Sequence, residues 1–433
     1  MTGPATAAGG RMPRRASLKQ NVVAMYALQT ANYLIPLATL PYLIRVLGAE
    51  QYGAIAVAYA ATFFMVLFVD AGFNTLAIRR LARPGIGLAR IAEIYSATQI
   101  IKVAQCAAMF LVLCALVLFV PEIGTAWQVY LATFPIVIGS LLFPTWLFQG
   151  LEIMHVTTLC SVGGRLLATI GIFACVDGPA DVVTAALLQA SAAAVSGLLS
   201  LPLVLRLLRG STPVPRRRLL PELRRTLADA RAFAPAEFAT QAIDNAGVFI
   251  LGLFAGHATV GIYAAIEKVA RAAAGLFQPL TKALFPALAG RWISRMPDAA
   301  ARSRDWTWRI ALLAAVVSIA MYALAPSGLE LLFGADWAAH AQLLRVLAAW
   351  LAASIAATVL GQFWLLVRGF RATYTTCMLK AAALQLPAAI VGAGLYGSLG
   401  LAFATVFAEL ARLALISAAT RSGGRAASER CAS

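Results

Sequence analysis

Runs of about 20 or more apolar residues, set apart by short polar connections, recur along the whole of this chain. A run of that length matches the hydrocarbon core of a bilayer, and it must be helical there, because lipid offers nothing to an exposed backbone N–H or C=O. Composition points the same way. Of 433 residues 61% are apolar and 12% charged, about half the charged share of an ordinary soluble domain. The expected fold is all-α and polytopic. Twelve transmembrane helices are predicted, at roughly 21–44, 52–77, 94–120, 126–149, 153–176, 182–207, 231–255, 259–290, 306–326, 341–366, 372–396 and 398–420.

The net charge of +17 would suit a nucleic-acid binder if it formed one basic soluble face. Here it sits in the connections between apolar runs, so no nucleic-acid partner is expected. Arg14 and Arg15 precede an apolar run far longer than a signal sequence, and they read as a cytoplasmic anchor. Basic residues gather in every second connection, the longest group lying between Arg206 and Arg231 and the last running from Arg412 to Arg430. Glu50, Glu122, Asp177, Asp181, Glu330 and Asp336 occupy the opposite loops. By the positive-inside rule both termini face the cytoplasm, which requires an even number of spans. The six cysteines are scattered and the three histidines isolated, so neither a metal site nor a disulfide framework is expected.

The basic stretch 209–230 carries Pro213, Pro215 and Pro221 and reads as a cytoplasmic linker between two six-helix bundles, 1–208 and 231–433. Gly48 and Gly53 recur as Gly256 and Gly261 at one offset of 208, and Trp146, Thr157 and Thr158 find a fainter echo in Trp364, Thr375 and Thr376. Two bundles of equal topology would be pseudo-symmetric about an axis along the membrane normal, with substrate in a central cleft.

Eight basic residues remain inside or beside the spans: Arg45, Lys102, Arg165, Lys268, Arg271, Lys282, Arg345 and Lys380. A charge at mid-bilayer costs at least about 2.5–3.5 kcal/mol, so it should face a wet cavity or a partner. Arg45, Arg345 and Lys282 are placed to snorkel. Polar stripes run along the first span (Gln29, Asn32, Tyr33), the third (Gln99, Lys102), the seventh (Gln241, Asp244, Asn245) and the eighth (Glu267, Arg271). Glu267 and Arg271 stand at i,i+4 and could simply neutralise each other, and Asp244 could pair with Arg165 for packing alone. As a set, the excess of basic over acidic groups (Asp70, Asp244, Glu267, Glu409) favours an anionic cargo, and arginine matches phosphate geometry. Arg165, Lys268 and Arg271 are the expected phosphate ligands, with Lys102 and Lys380 as an electrostatic funnel. Asp70, Asn74 and Arg79 are read as an inner gate. Asp244 and Glu267 are candidates for carrying a coupling ion.

Three segments carry a family likeness: Gln29 to Gly53 with Leu40-Pro41-Tyr42 and Arg45; Asp70-Ala71-Gly72-Phe73-Asn74 through Arg79; and Pro144-Thr145-Trp146 through Gln149-Gly150 to Met154. They resemble the Wzx-type polysaccharide (O-antigen) flippases. That resemblance implies the MOP exporter fold, two six-helix bundles about a cleft. It implies movement of an undecaprenyl-pyrophosphate-linked oligosaccharide across the bacterial inner membrane by alternating access, for surface polysaccharide or exopolysaccharide. No cofactor is implied beyond a proton or sodium ion as coupling ion; a polysaccharide polymerase and a chain-length regulator are the implied protein partners. The drug-exporter motifs and the two extra helices of the lipid II branch are missing from this sequence. The alternatives are a cation-coupled drug exporter, which expects an acidic cleft, and a membrane-embedded glycan polymerase, which expects a large polar loop or acidic cluster. No Walker motif is present.

The charge pattern fixes an expected outcome for reporter fusions. A fluorescent protein joined after Ser433 should fluoresce and a phosphatase inserted at Asp336 should be active; the reverse pattern contradicts the assigned orientation.

Overall fold

The computed structural model describes the backbone of residues 18–432 apart from 71, 83–84, 211–213 and 295. It describes the side chains from residue 35 onward apart from those positions and 75, 122, 232–237, 239–240, 242–244 and 422–433. Among these residues every regular element is a helix. Eight stretches are long and apolar enough to cross a bilayer. Two of the eight, Ile35–Asp70 and Arg371–Arg421, are each a pair of helices joined at a non-helical glycine, Gly48 (φ 79°) and Gly397 (φ 58°). Side chains are disfavoured at positive φ, so each hairpin turns where only glycine is comfortable. Two more expected spans lie on the helix Arg216–Phe254, whose described apolar stretch is Asn245–Phe254, and on His257–Gly275, which carries Glu267, Lys268 and Arg271 and is continued by Gln278–Ile293. The chain is a multi-pass, all-α membrane protein.

Several spans expected to be continuous are broken, for local reasons. The second ends at Asp70; Gly72 (φ 75°) turns the chain, and Phe73–Leu81 forms a separate helix. The fourth is three pieces, Trp127–Thr133, Pro135–Leu142 and Thr145–Gly150, because Pro135 and Pro144 donate no backbone hydrogen bond. The eighth breaks at Leu276 and Phe277, just before Pro279. The tenth ends in a π-helical turn, Gly361–Leu366. The connection 209–230 is helical from Arg216 onward.

The chain divides into two compact units. Among the described residues, the first holds those before 32, 62–175 and 183–239; the second holds 32–61, 176–182 and those from 240 onward. In the first unit, Trp146, Leu147 and Phe148 are buried against Leu81, Ile91 and Val204. Helix–helix association in lipid gains little from hydrophobicity and depends on close approach at small residues. Accordingly, a side chain at Gly139 would strike Ala193, and one at Gly164 would strike Ser196 and the Ala192 carbonyl. Leu223 and Ala230, on the helix that starts at Arg216, rest on Phe73, Leu76 and Ile101. Glu222, 4% exposed, accepts from Arg80 at 3.0 Å and Arg90 at 2.7 Å, while Arg80 also pairs with Asp229. The acidic residues inside the basic stretch thus answer arginines of the preceding connection.

In the second unit the repeated glycines meet. A Cβ on Gly53 would lie 1.8 Å from the His257 carbonyl oxygen, and one on Gly261 would lie 1.9 Å from that of Ala49. Residue 49 is to 257 as 53 is to 261, so the contact is reciprocal, like an isologous interface inside one chain. The offset of 208 therefore records a helix crossing as well as two similar turns. Phe277, Ile310, Leu351, Val359 and Phe363 form a buried cluster in this unit.

Because the obstacle at Gly53 is backbone, Gly53→Val should lower thermal stability in detergent by about 1–3 kcal/mol. Gly290→Ala, where a Cβ meets nothing within 4 Å, should melt with the wild type. Equal melting of wild type and Gly53→Val would contradict the crossing.

Candidate functional site

The second unit contains a cavity of about 310 Å³ walled by charged and polar side chains. The helix His257–Gly275 brings Tyr263, Glu267 and Arg271 to it, spaced by one helical turn. Ala341–Leu360 brings Trp350, Ser354 and Thr358, and the last helices bring Gln385, Thr405, Glu409 and Arg412. Arg271 donates to Glu267 from Nε at 3.0 Å and from a terminal nitrogen at 2.8 Å. Its guanidinium also lies 5.8 Å from the centre of the Trp350 ring, with 43% of the side chain exposed. Arg412 pairs with Glu409 at 2.7 Å and donates to the Ser354 carbonyl at 3.0 Å. Two arginines therefore face two glutamates, and this cavity is formally neutral.

Lys268 turns to a neighbouring face of the same helix. Its Nζ donates to the Tyr52 hydroxyl at 2.7 Å, beside the Gly53 crossing. Lys380 is exposed on the helix that begins at Arg371. Both belong, with Arg271, to the second unit, whereas Arg165 and Lys102 belong to the first. Arg165 is half-buried on Met154–Cys175.

In the first unit a second set of charges is drawn together. Lys102 is 1% exposed, and its ammonium donates to Asp70 at 2.7 Å, to the Asn74 side-chain oxygen at 3.2 Å and to the Ser140 carbonyl at 3.4 Å. Asp70 ends one helix and Asn74 lies in the first turn of the next, so the lysine bridges the break at Gly72. The structure groups Lys102 with the expected gate residues Asp70 and Asn74. Its side chain is buried to 1% exposure and its ammonium is held by these partners. Arg79 is exposed on Phe73–Leu81. One turn from Lys102, Gln99 donates to the Tyr95 hydroxyl and the Leu141 carbonyl, both at 3.2 Å.

Of the other expected lining residues, Gln241 is exposed and Asn245 donates to its backbone carbonyl at 2.9 Å. The side chains of Gln29, Asn32, Tyr33 and Asp244 lie outside the described residues.

Arg412 is a site residue that sequence reasoning passes over. Counted there only with the basic group at the cytoplasmic end, it lines the cavity with its side chain 17% exposed. The signal is present in the sequence: Arg412 falls eight residues before the predicted end of its own span and three after Glu409, the spacing of a helical ion pair.

A family model described as "Polysaccharide biosynthesis protein" matches residues 18–292. A relative from Escherichia coli (strain K12) named "Putative O-antigen transporter" is 32% identical over 271 residues, 62% of this chain and 64% of the relative's own length. A relative of the same name from Shigella dysenteriae is 27% identical over 395 residues, 91% of this chain and 97% of the relative. Among solved structures, an inward-facing multidrug resistance MATE family transporter of the MOP superfamily superposes with a TM-score of 0.72 at 14% identity, covering 94% of this chain and 99% of that one. The lipid II flippase MurJ in an inward closed conformation gives 0.67 at 12% identity, covering 93% and 87%. At such identities the likeness is one of fold. Matched over more than half its length, the chain belongs to the polysaccharide biosynthesis protein family and has the all-α fold of the MOP superfamily.

Proposed function

We propose that this protein is a transporter without covalent chemistry, a flippase that carries a lipid-linked oligosaccharide across the membrane for surface polysaccharide synthesis. The observation that carries this reading is the match over 91% of the chain to a relative named for O-antigen transport. In its finer form the cargo is undecaprenyl-pyrophosphate-linked, and the membrane is the bacterial inner membrane with both termini cytoplasmic. The cycle is alternating access driven by a proton or sodium gradient. A polymerase and a chain-length regulator would act on the product.

Arg271 is the leading phosphate ligand. Its guanidinium is half-exposed at a cavity wall, where it pairs with Glu267 and lies over the Trp350 ring. Arg165, Lys268 and Lys380 are the remaining cationic candidates. Glu267, 13% exposed, is the described carboxylate best placed to exchange Arg271 for a coupling ion, with Asp244 the second candidate. Gln278, Gln385 and Trp350 supply the hydrogen bonds and the aromatic face that a sugar would use. A drug exporter of the same fold is the second reading, favoured by the 0.72 superposition. It expects an acidic cavity for cationic cargo, whereas the lining here is formally neutral, two arginines against two glutamates.

Losing a charge-assisted contact worth about 1.5–3 kcal/mol should reduce export about tenfold or more. Arg271→Ala and Arg165→Ala are therefore expected to deplete surface polysaccharide while lipid-linked repeat units build up on the inner leaflet and protein level holds. Arg271→Ala/Glu267→Ala, which removes the stranded carboxylate, should stay defective. Normal polymer from all three variants would remove these arginines from the mechanism.

A further inference from the structure

Arg368 is a half-buried arginine that no acid answers. It stands in the connection between the spans Ala335–Leu366 and Arg371–Arg421, within the second unit. Among the described residues it makes no ion pair, and its Nε is buried without a hydrogen-bond partner. Two indoles hold it instead. The guanidinium carbon lies 4.3 Å from the centre of the Trp292 ring and 4.8 Å from that of Trp364. Trp292 is itself fixed, since its Nε1 donates to the buried Ser303 hydroxyl at 3.0 Å.

Trp364 belongs to the π-helical turn Gly361–Leu366, closed by the Val367 N–H on the Gln362 carbonyl at 3.2 Å. Such a turn takes in one residue more than an α turn, and it is frequent at functional sites. The sequence shows the extra residue. Trp146 precedes Gly150 by four positions, whereas its echo Trp364 precedes Gly369 by five. Before the glycine stands Gln149 in the first half and Arg368 in the second, so the caged cation belongs to one half only.

Indole faces attract a cation but carry no net charge. The connection therefore stays positive, because no Asp or Glu stands between Asp336 and Glu409. On the helix after Trp292, Asp298 is already held by Arg291 and Arg302, and Asp305 is exposed. Burial without a carboxylate pulls the Arg368 guanidinium below the ordinary arginine value, yet an arginine stays charged. Held against two rings, the planar group has its terminal N–H donors left over, and that fork matches two oxygens of a phosphate. The position suits a lipid phosphate. Two spans end and begin here, at the boundary that tryptophan favours, and basic pockets between membrane helices take anionic head groups. Ile293, next to Trp292, and Phe370, two residues past Arg368, are exposed apolar side chains.

We propose that Arg368, caged by Trp292 and Trp364, binds the phosphodiester head group of an anionic phospholipid. The rings fix the guanidinium plane and the terminal nitrogens donate to the phosphate. Ile293 and Phe370 offer apolar surface to the first carbons of the acyl chains. Arg371 adds charge without a cage. The inference stands on the chain being a membrane protein and does not rest on the transport reading.

The test uses the purified full chain in neutral detergent, with phosphatidylglycerol added and bound lipid counted by native mass spectrometry. Wild type should hold phosphatidylglycerol in preference to phosphatidylcholine. Arg368→Gln loses a charge-assisted contact and should bind it about tenfold more weakly or worse. Arg371→Gln should lose much less. Arg368→Lys keeps the stem and the charge but not the fork; it should melt with the wild type and still bind more weakly, which decides the matter if Arg368→Gln is unstable. Wild-type binding in both Arg368 variants overturns the proposal. An equal loss from Arg371→Gln overturns it too, because a diffuse basic surface would then suffice. Displacement of the lipid by an equal concentration of inorganic phosphate would assign the site to a free anion and overturn the lipid assignment.

Discussion

A charge that enters the bilayer must be answered by a partner or by water, and this fold is organised around that requirement. Lys102 is answered by Asp70, Asn74 and a carbonyl; Arg412 by Glu409 and Ser354; Arg271 by Glu267 and the face of Trp350. Each answer joins residues from different turns or different helices, so charge neutrality and helix packing are satisfied by the same contacts. The two sets differ in access. Those in the second unit open on a cavity, and the one in the first unit is closed at its lysine end.

Glycine provides the complementary constraint. With no hydrophobic gain from pressing helices together in lipid, approach distance decides stability, and Gly53 and Gly261 allow backbones to touch where any side chain would collide. The neighbouring bond from Lys268 to Tyr52 sits on the same crossing. Lys268 therefore contributes to holding segment 32–61 within the second unit, alongside whatever it offers a substrate.

The passes themselves are legible from apolar runs, because a bilayer imposes one length on every helix. The breaks are less so. A run of apolar residues looks the same whether or not Gly72, Pro135 or Pro279 interrupts it, and hydropathy carries no backbone angle. The helix beginning at Arg216 reads as a basic linker because orientation is judged from Lys and Arg alone. That count passes over Glu222 and Asp229, the two residues that tie this helix down. The candidate site is half visible. Glu267 and Arg271 announce each other by spacing, but Glu409 and Arg412 complete the cavity from a helix far away in sequence, and only tertiary structure brings them together. The glycine repeat shows in the sequence as a pair of similar turns; that the two turns meet is a fact of three dimensions.

The central claim is that this chain alone moves a lipid-linked saccharide between leaflets. The most direct measurement is reconstitution of the purified protein into proteoliposomes bearing such a lipid, with leaflet position read by accessibility of the sugar to an added enzyme. The account predicts that the sugar crosses faster than in empty vesicles, and that Arg271→Ala slows the crossing. A rate equal to that of empty vesicles would contradict it.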